Sequence, residues 1–137
     1  MKINLQIITP EKVAYKGEAE QVTLPTKDGE ITILANHIPL ISSIKHGKLV
    51  IKNGSEEILM AVWGGFVEVK KNDLIIMTNT AERSEEIDEE RAQKARERAE
   101  KLLAEKDKLD DVAFADASAA LERSLMRLNL SKRRKKR

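Results

Sequence analysis

Apolar and polar positions alternate along the first eighty residues, and the period of two reads as a series of short strands. In "KINLQII" the residues Ile3, Leu5 and Ile7 fall on one face, and "EQVTLPT" and "GEITILAN" alternate in the same way. The stretch "KLVIKNGSEEILMAVW" predicts two strands around Asn53-Gly54, a strong hairpin signal, and "GFVEVKKNDLIIMTNT" repeats the pattern around Asn72-Asp73. No helical crossover separates these runs, so they predict an antiparallel sandwich or flattened barrel rather than βαβ units. Gly64-Gly65 inside a strand run points to a bulge or a close backbone approach.

The period changes after Arg83. All six glycines and all three prolines lie before Phe66, whereas Ala, Glu, Lys, Arg and Leu dominate the later sequence, the preference profile of helix. Ala92, Ala95, Ala99 and Leu102 recur at spacings of three and four, with Glu90/Lys94 and Glu97/Lys101 as i,i+4 pairs outside and Asp88 or Ser84 as N-cap. After "EKDKLDD", Asp110 or Asp111 caps a second helix carrying Phe114, Ala117, Leu121, Leu125 and Leu128. The short connection makes the two helices an antiparallel hairpin. The expected fold class is therefore α+β, an N-terminal antiparallel β-sandwich (1–83) followed by a C-terminal antiparallel two-helix hairpin (84–130). The basic remainder (131–137) is expected to be a disordered tail.

Composition narrows the chemistry. The chain has no cysteine, which excludes disulfides, thiolate metal sites and cysteine nucleophiles, and fits a reducing compartment. Aromatics at 3% are too few to build a stacking platform for single-stranded nucleic acid. Neither the alternating start "MKINLQIITP" nor any later run has the apolar length of a signal peptide or of a membrane span of about 20 residues, so a soluble or peripheral protein is expected. The formal net charge is +2, and "SKRRKKR" supplies six positive charges, so the rest sums to 2 − 6 = −4. The two histidines, His37 and His46, lack metal-ligand spacing, and GxxxxGK[ST], GxSxG and HExxH are absent. No catalytic residue, metal site or required cofactor is expected.

Two features remain as candidate binding chemistry. An Ala seam lets two helices approach closely, but each position buries roughly 2 kcal/mol less than Leu, so the hairpin is expected to be marginal. Arg91, Arg98, Arg123 and Arg127 lie on both helices, and arginine forks suit phosphate or carboxylate. On spacing alone they read either as one polyanion site or as charge balance among the glutamates. The basic tail offers a nonspecific, salt-sensitive contact with nucleic acid or anionic lipid, and a small nucleotide- or polyanion-binding module is the alternative reading of the chain.

The order of "TPEKVAYKGEAEQVTLPTKDGEITILANHIPLISSIKHGKL", "GGFVEVKKNDLIIMT", "AERSEEIDEERAQKARERAEKLL" and "ALERSLMRLNL" closely resembles the epsilon subunits of bacterial F-type ATP synthase over nearly the whole chain. The resemblance implies a non-catalytic subunit of the proton-translocating complex, peripheral on the cytoplasmic face of the cell membrane. Its sandwich would bind the gamma subunit of the central stalk and the c-subunit ring, with Glu30 and His37 at matching contact positions. Its helices would either fold on the sandwich or extend into the alpha/beta catalytic head and inhibit ATP hydrolysis. The resemblance implies no specific nucleic acid partner. ATP is implied as a regulatory ligand, because Ile87, Asp88, Arg91 and Ala92 match an I/L-D-x-x-R-A motif, with Glu82, Arg98, Arg123 and Arg127 at supporting positions. The chain places Glu89 and Glu90 at the two x positions and Glu122 before Arg123, negative charge beside an anion site.

Overall fold

A computed structural model describes residues 1–135. It divides into two compact units, Met1–Arg83 and Ser84–Arg137.

The first unit holds ten strands: β1 (Ile3–Ile8), β2 (Val13–Ala19), β3 (Gln21–Thr26), β4 (Gly29–Leu34), β5 (Leu40–Ser43), β6 (Gly47–Asn53), β7 (Glu56–Trp63), β8 (Phe66–Lys70), β9 (Asp73–Met77) and β10 (Thr80–Arg83). They form two five-stranded sheets, β2-β1-β9-β8-β5 and β10-β7-β6-β3-β4. The alternating runs become strands whose inward residues make one core: Ile3, Leu5, Ile7, Val22, Leu24, Ile33, Leu49, Ile51, Val67, Val69, Leu74 and Ile76. Strands β2, β5 and β10 have no distinct sequence signal, because two are only four residues long and β2 buries its residues irregularly. Every pairing is antiparallel except β1 with β9, which run parallel, Asn4 opposite Asp73 through Ile8 opposite Met77. Chain entry and exit from the first sheet set that direction, and no local pattern encodes it.

Both hairpin turns lie one residue from where the sequence suggests. The loop between β6 and β7 is Gly54–Ser55, closed by Asn53 opposite Glu56, and the loop between β8 and β9 is Lys71–Asn72, closed by Lys70 opposite Asp73. Gly54 takes the left-handed φ of 63°, as a two-residue hairpin loop with glycine first requires. In the second loop the left-handed position falls on Lys71, with φ 58°. A non-glycine residue there costs about 1 kcal/mol or more. The physical reason for both shifts is that each asparagine spends its amide elsewhere. Asn53 Nδ2 donates to the Glu18 carbonyl at 2.8 Å, and Asn72 Oδ1 accepts from the Asn36 backbone N–H at 2.7 Å.

Gly65 is a close approach of backbone to backbone. A Cβ there would overlap the Met77 carbonyl oxygen, and its φ of +112° is open only to glycine. The Gly65 carbonyl accepts from the Ile44 N–H at 2.8 Å, which ties the strand junction to the loop after β5.

The second unit opens with a short 3-10 turn at Ser84–Glu86, followed by α1 (Glu89–Ala104) and α2 (Asp111–Lys135). Asp88 is the N-cap of α1 and accepts from the Arg91 N–H at 3.1 Å, and Asp110 Oδ1 accepts from the Ala113 N–H at 2.7 Å to cap α2. The two helices pack on each other, and α2 also packs on the 3-10 turn. The start of α1 and the end of α2 line a common groove through Glu89, Glu90, Gln93, Lys94, Glu97, Leu128 and Lys132, so the pair is antiparallel.

The structure corrects the seam. Leu102 is 48% exposed, Phe114 45% and Leu125 43%, whereas Ala92, Ala99, Ala117, Ser124, Leu128 and Ser131 are buried. Ala117, Leu121, Ser124, Leu128 and Ser131 are spaced alternately by four and three, so the side of α2 facing α1 follows a heptad rather than the drifting stripe that includes Phe114 and Leu125. Serine fits because it is small and its hydroxyl is satisfied within the helix. Ser124 Oγ donates to the Leu121 carbonyl at 2.9 Å, and Ser131 Oγ to the Leu128 carbonyl at 3.1 Å. The outer Glu90–Lys94 pair forms at 3.3 Å, but Glu97 accepts from Gln93 at 3.3 Å and Glu100 pairs with Arg96 at 2.7 Å. Helix α2 continues through Ser131–Lys135, past the boundary expected at 130. Lys and Arg are good helix formers, and cations are favoured at a helix C-terminus. Lys136 and Arg137 of the expected tail lie outside the described residues.

Candidate functional site

Within the sandwich, Glu30 and His37 are both on the β4 segment but not together. β4 is an edge strand, with Glu30 near its start and exposed. His37 lies beyond its end, in the turn closed by its N–H on the Leu34 carbonyl. His37 is half-buried, its N–H donates to the Leu34 carbonyl at 3.2 Å, and its ring Nδ1 lies 2.6 Å from the Ile38 carbonyl. A carbonyl can only accept, so Nδ1 carries the proton and the ring is held against its own loop. Ile38 beside it is 75% exposed.

A second feature of this unit escapes a residue-by-residue reading. On the outer face of the first sheet, Val13 pairs with Ile8, Ile8 with Met77, Met77 with Phe66, and Phe66 with Ser43. The result is a row across all five strands with four apolar members. Val13 is 51% exposed, Phe66 57%, Met77 47%, and Ile41 on the same face 74%. Contiguous exposed apolar surface of this kind marks an interaction site. Its sequence signal is the break in alternation at strand ends, where "QII" and "IIM" carry an apolar residue on each face.

In the hairpin, Ile87 is buried just before α1, Asp88 caps it, and Ala92 is a seam residue. Arg91 and Arg98 are exposed, and Arg123 and Arg127 are half-buried. At about 100° per residue, Arg91 and Arg98 lie on one flank of the Ala92–Ala99 seam and Glu89, Gln93 and Arg96 on the other. On α2, Arg123 and Arg127 flank the Ser124 seam on one side, Leu125 and Lys132 on the other. The groove shared by Glu89, Gln93 and Lys132 fixes which flanks coincide, and it leaves all four arginines on the opposite side of the hairpin. Glu89 and Glu90 line that groove, and Glu90 is engaged by Lys94, so the acids at the two x positions project away from the arginine flank. Glu82 belongs to the other unit, on β10 opposite Ala61.

Among the described residues no group of three or more His, Asp or Glu side chains could hold a metal ion. None of their helices is long and apolar enough to cross a membrane.

Residues 2–84 match the family model described as ATP synthase, Delta/Epsilon chain, beta-sandwich domain, and residues 85–132 match that of the long alpha-helix domain of the same chain. The chain belongs to the ATP synthase delta/epsilon family. An ATP synthase epsilon chain of Shouchella clausii (strain KSM-K16) is 44% identical over 131 residues, which is 95% of each chain. One of Dehalococcoides mccartyi (strain BAV1) is 37% identical over 135 residues, 98% of this chain and 96% of the relative. Among solved structures, a chain in the cryo-EM structure of Euglena gracilis mitochondrial ATP synthase, OSCP/F1/c-ring in rotational state 1, superposes with a TM-score of 0.76 at 27% identity, over 88% of this chain and 76% of that one. These matches make the chain a subunit of F-type ATP synthase of the epsilon kind rather than an enzyme in its own right. Family membership covers both units, so neither is an unrelated appendage.

Proposed function

We propose that this chain is a central-stalk subunit of its ATP synthase, peripheral to the membrane on its cytoplasmic face, with the sandwich docked and the hairpin regulatory. The observation that carries the reading is the exposed apolar row Val13–Ile8–Met77–Phe66 across the first sheet. A folded sandwich gains nothing from exposing it, whereas a permanent partner, the gamma subunit of the central stalk, would bury it. Glu30 and the His37 loop, on the neighbouring edge, are assigned to the gamma subunit and the c ring. The similar Euglena gracilis chain was solved in an assembly of OSCP, F1 and the c-ring, which supports the same placement.

The hairpin supports a regulatory half. Its seam mixes Ala and Ser with few larger residues, Leu128 among them, and so separates at lower cost than an all-Leu seam, and Arg91, Arg98, Arg123 and Arg127 share one flank. In this proposal ATP bridges the arginines, with Ile87, Asp88 and Ala92 shaping the start of α1, and so holds the hairpin folded. ATP at 100 times its Kd contributes about 2.7 kcal/mol to the folded form. At low ATP the helices extend toward the alpha/beta head and inhibit hydrolysis.

Calorimetric titration of the full chain with ATP, against an Arg91→Ala/Arg123→Ala variant, tests the gating. Saturable binding that the variant loses is the expected result. No binding by the wild type would reassign the arginines to the catalytic head. In the reconstituted enzyme, a chain ended after Arg83 should still bind the gamma subunit and no longer inhibit hydrolysis.

A further inference from the structure

Among the described residues two non-glycine positions have positive φ, Asn36 at 64° and Lys71 at 58°. They lie 35 positions apart in sequence, yet they belong to one contact. The Asn36 N–H donates to Asn72 Oδ1 at 2.7 Å, and Asn72 Nδ2 lies 3.5 Å from Asn36 Oδ1. The contact joins the loop leaving β4, at the edge of one sheet, to the β8–β9 turn of the other.

The turn is a fixed anchor. The Asn4 N–H donates to the Asn72 carbonyl at 2.8 Å, and Asn4 Nδ2 to Asp73 Oδ1 at 3.1 Å, so β1 holds it from the side. The loop it reaches carries His37 and the 75% exposed Ile38. Besides the Asn72 contact, the loop is held by the His37 N–H to the Leu34 carbonyl at 3.2 Å and by His37 Nδ1, 2.6 Å from the Ile38 carbonyl, both within the loop itself, and by Asn36 Nδ2, 3.5 Å from the Met1 sulfur.

The first position of the turn does not serve the hairpin. Only that position is left-handed, which favours glycine there, yet lysine occupies it and Asn72 follows in an ordinary conformation. The turn bears this cost while the Asn72 carboxamide meets the Asn36 N–H.

We propose that Asn72, aimed by the left-handed Lys71, is a positioning residue that presets the Asn36–Pro39 loop for docking. It touches no partner itself. It selects one conformation of the loop, so that His37 and Ile38 are presented in a form ready to bind. This rests on the docking role proposed above for the His37 loop.

The test uses the full chain and the gamma subunit of its own enzyme, with binding rates followed at a biosensor surface and amide hydrogen exchange measured on the free chain. A Lys71→Gly/Asn72→Ala variant relieves the left-handed position and deletes the contact. Its thermal stability should not fall, whereas exchange at the Asn36 amide should accelerate at least about tenfold. Affinity should weaken by about tenfold, mainly through slower association, because only a fraction of the loop population remains competent. Asn72→Ala should lose affinity likewise, and Asn72→Asp, which keeps an acceptor oxygen at the same place, should restore it to within about threefold. A wild-type chain that binds, together with an Asn72→Ala chain that binds equally well, overturns the inference alone. A wild-type chain that does not bind the gamma subunit overturns the docking reading and this inference with it.

Discussion

The two units bury their seams equally well and hold them very differently. In the sandwich, Ile3, Leu5, Ile7, Val22, Leu24, Ile33, Leu49, Ile51, Leu74 and Ile76 are each at most 2% exposed. In the hairpin, Ala92, Ala99 and Ala117 are at most 5% exposed, and Ser124 and Ser131 at most 1%. Fractional burial is the same, but a Leu removes three more carbons from water than an Ala, about 2.4 kcal/mol per position. Burial therefore measures fit, and side-chain size decides the cost of separation. Ile87, Leu128 and Leu130 add larger buried side chains to this unit, and its remaining stabilising terms are local. The Asp88 and Asp110 caps and the Glu90–Lys94 and Arg96–Glu100 pairs each act within or at the start of one helix, so they survive when α1 and α2 part. These are the terms that would keep each helix folded in the extended position proposed above.

Three substitutions break or sharpen that comparison. The largest effect should come from Gly65→Ala, whose new methyl group meets the Met77 carbonyl in a backbone conformation closed to alanine. A loss of about 4 kcal/mol or more is expected, read in urea through Trp63, the chain's one tryptophan and a sandwich residue. A loss below about 1 kcal/mol would mean that the strand junction is softer than the geometry implies. Ala99→Leu should come next. It overpacks the seam by three carbons and should cost the hairpin about 1–3 kcal/mol, visible as earlier loss of helical circular dichroism, with the Trp63 transition unmoved. An equal fall in both transitions would refute the separation of the two units. Asp88→Ala should be smallest, about 1 kcal/mol, with faster amide exchange at Arg91 and its neighbours in the first turn. Unchanged exchange there would show that the first turn of α1 is held from outside the helix.

Much of the candidate chemistry was legible early for a common reason: helical spacing is short-range, and "IDEERA" with Arg98, Arg123 and Arg127 is a statement about positions on helices. The flank they share depends on which sides of α1 and α2 meet, and the buried serines reveal it. Ser124 and Ser131 are polar by type and were invisible as seam residues until packing showed them buried. The apolar row on the sandwich was hidden for a similar reason, since Val13, Ile8, Met77 and Phe66 come from four separate strands and meet only through register.

By itself, the sequence determined the periods: alternating Ile3, Leu5 and Ile7, the Ala92–Ala99 spacing, the aspartate caps, and a boundary where glycine and proline give way to helix formers. These are interactions among residues a few positions apart, which the order of residues states directly. Only the tertiary structure decided that β1 runs parallel to β9, that Phe114, Leu125 and Leu102 stay nearly half exposed, and that Asn53 and Asn72 act as bridges rather than as left-handed turn residues. An asparagine amide has equal use for its own turn and for a distant backbone. Which use prevails depends on what stands opposite, and for Asn72 that neighbour is Asn36, brought there by the packing of two sheets.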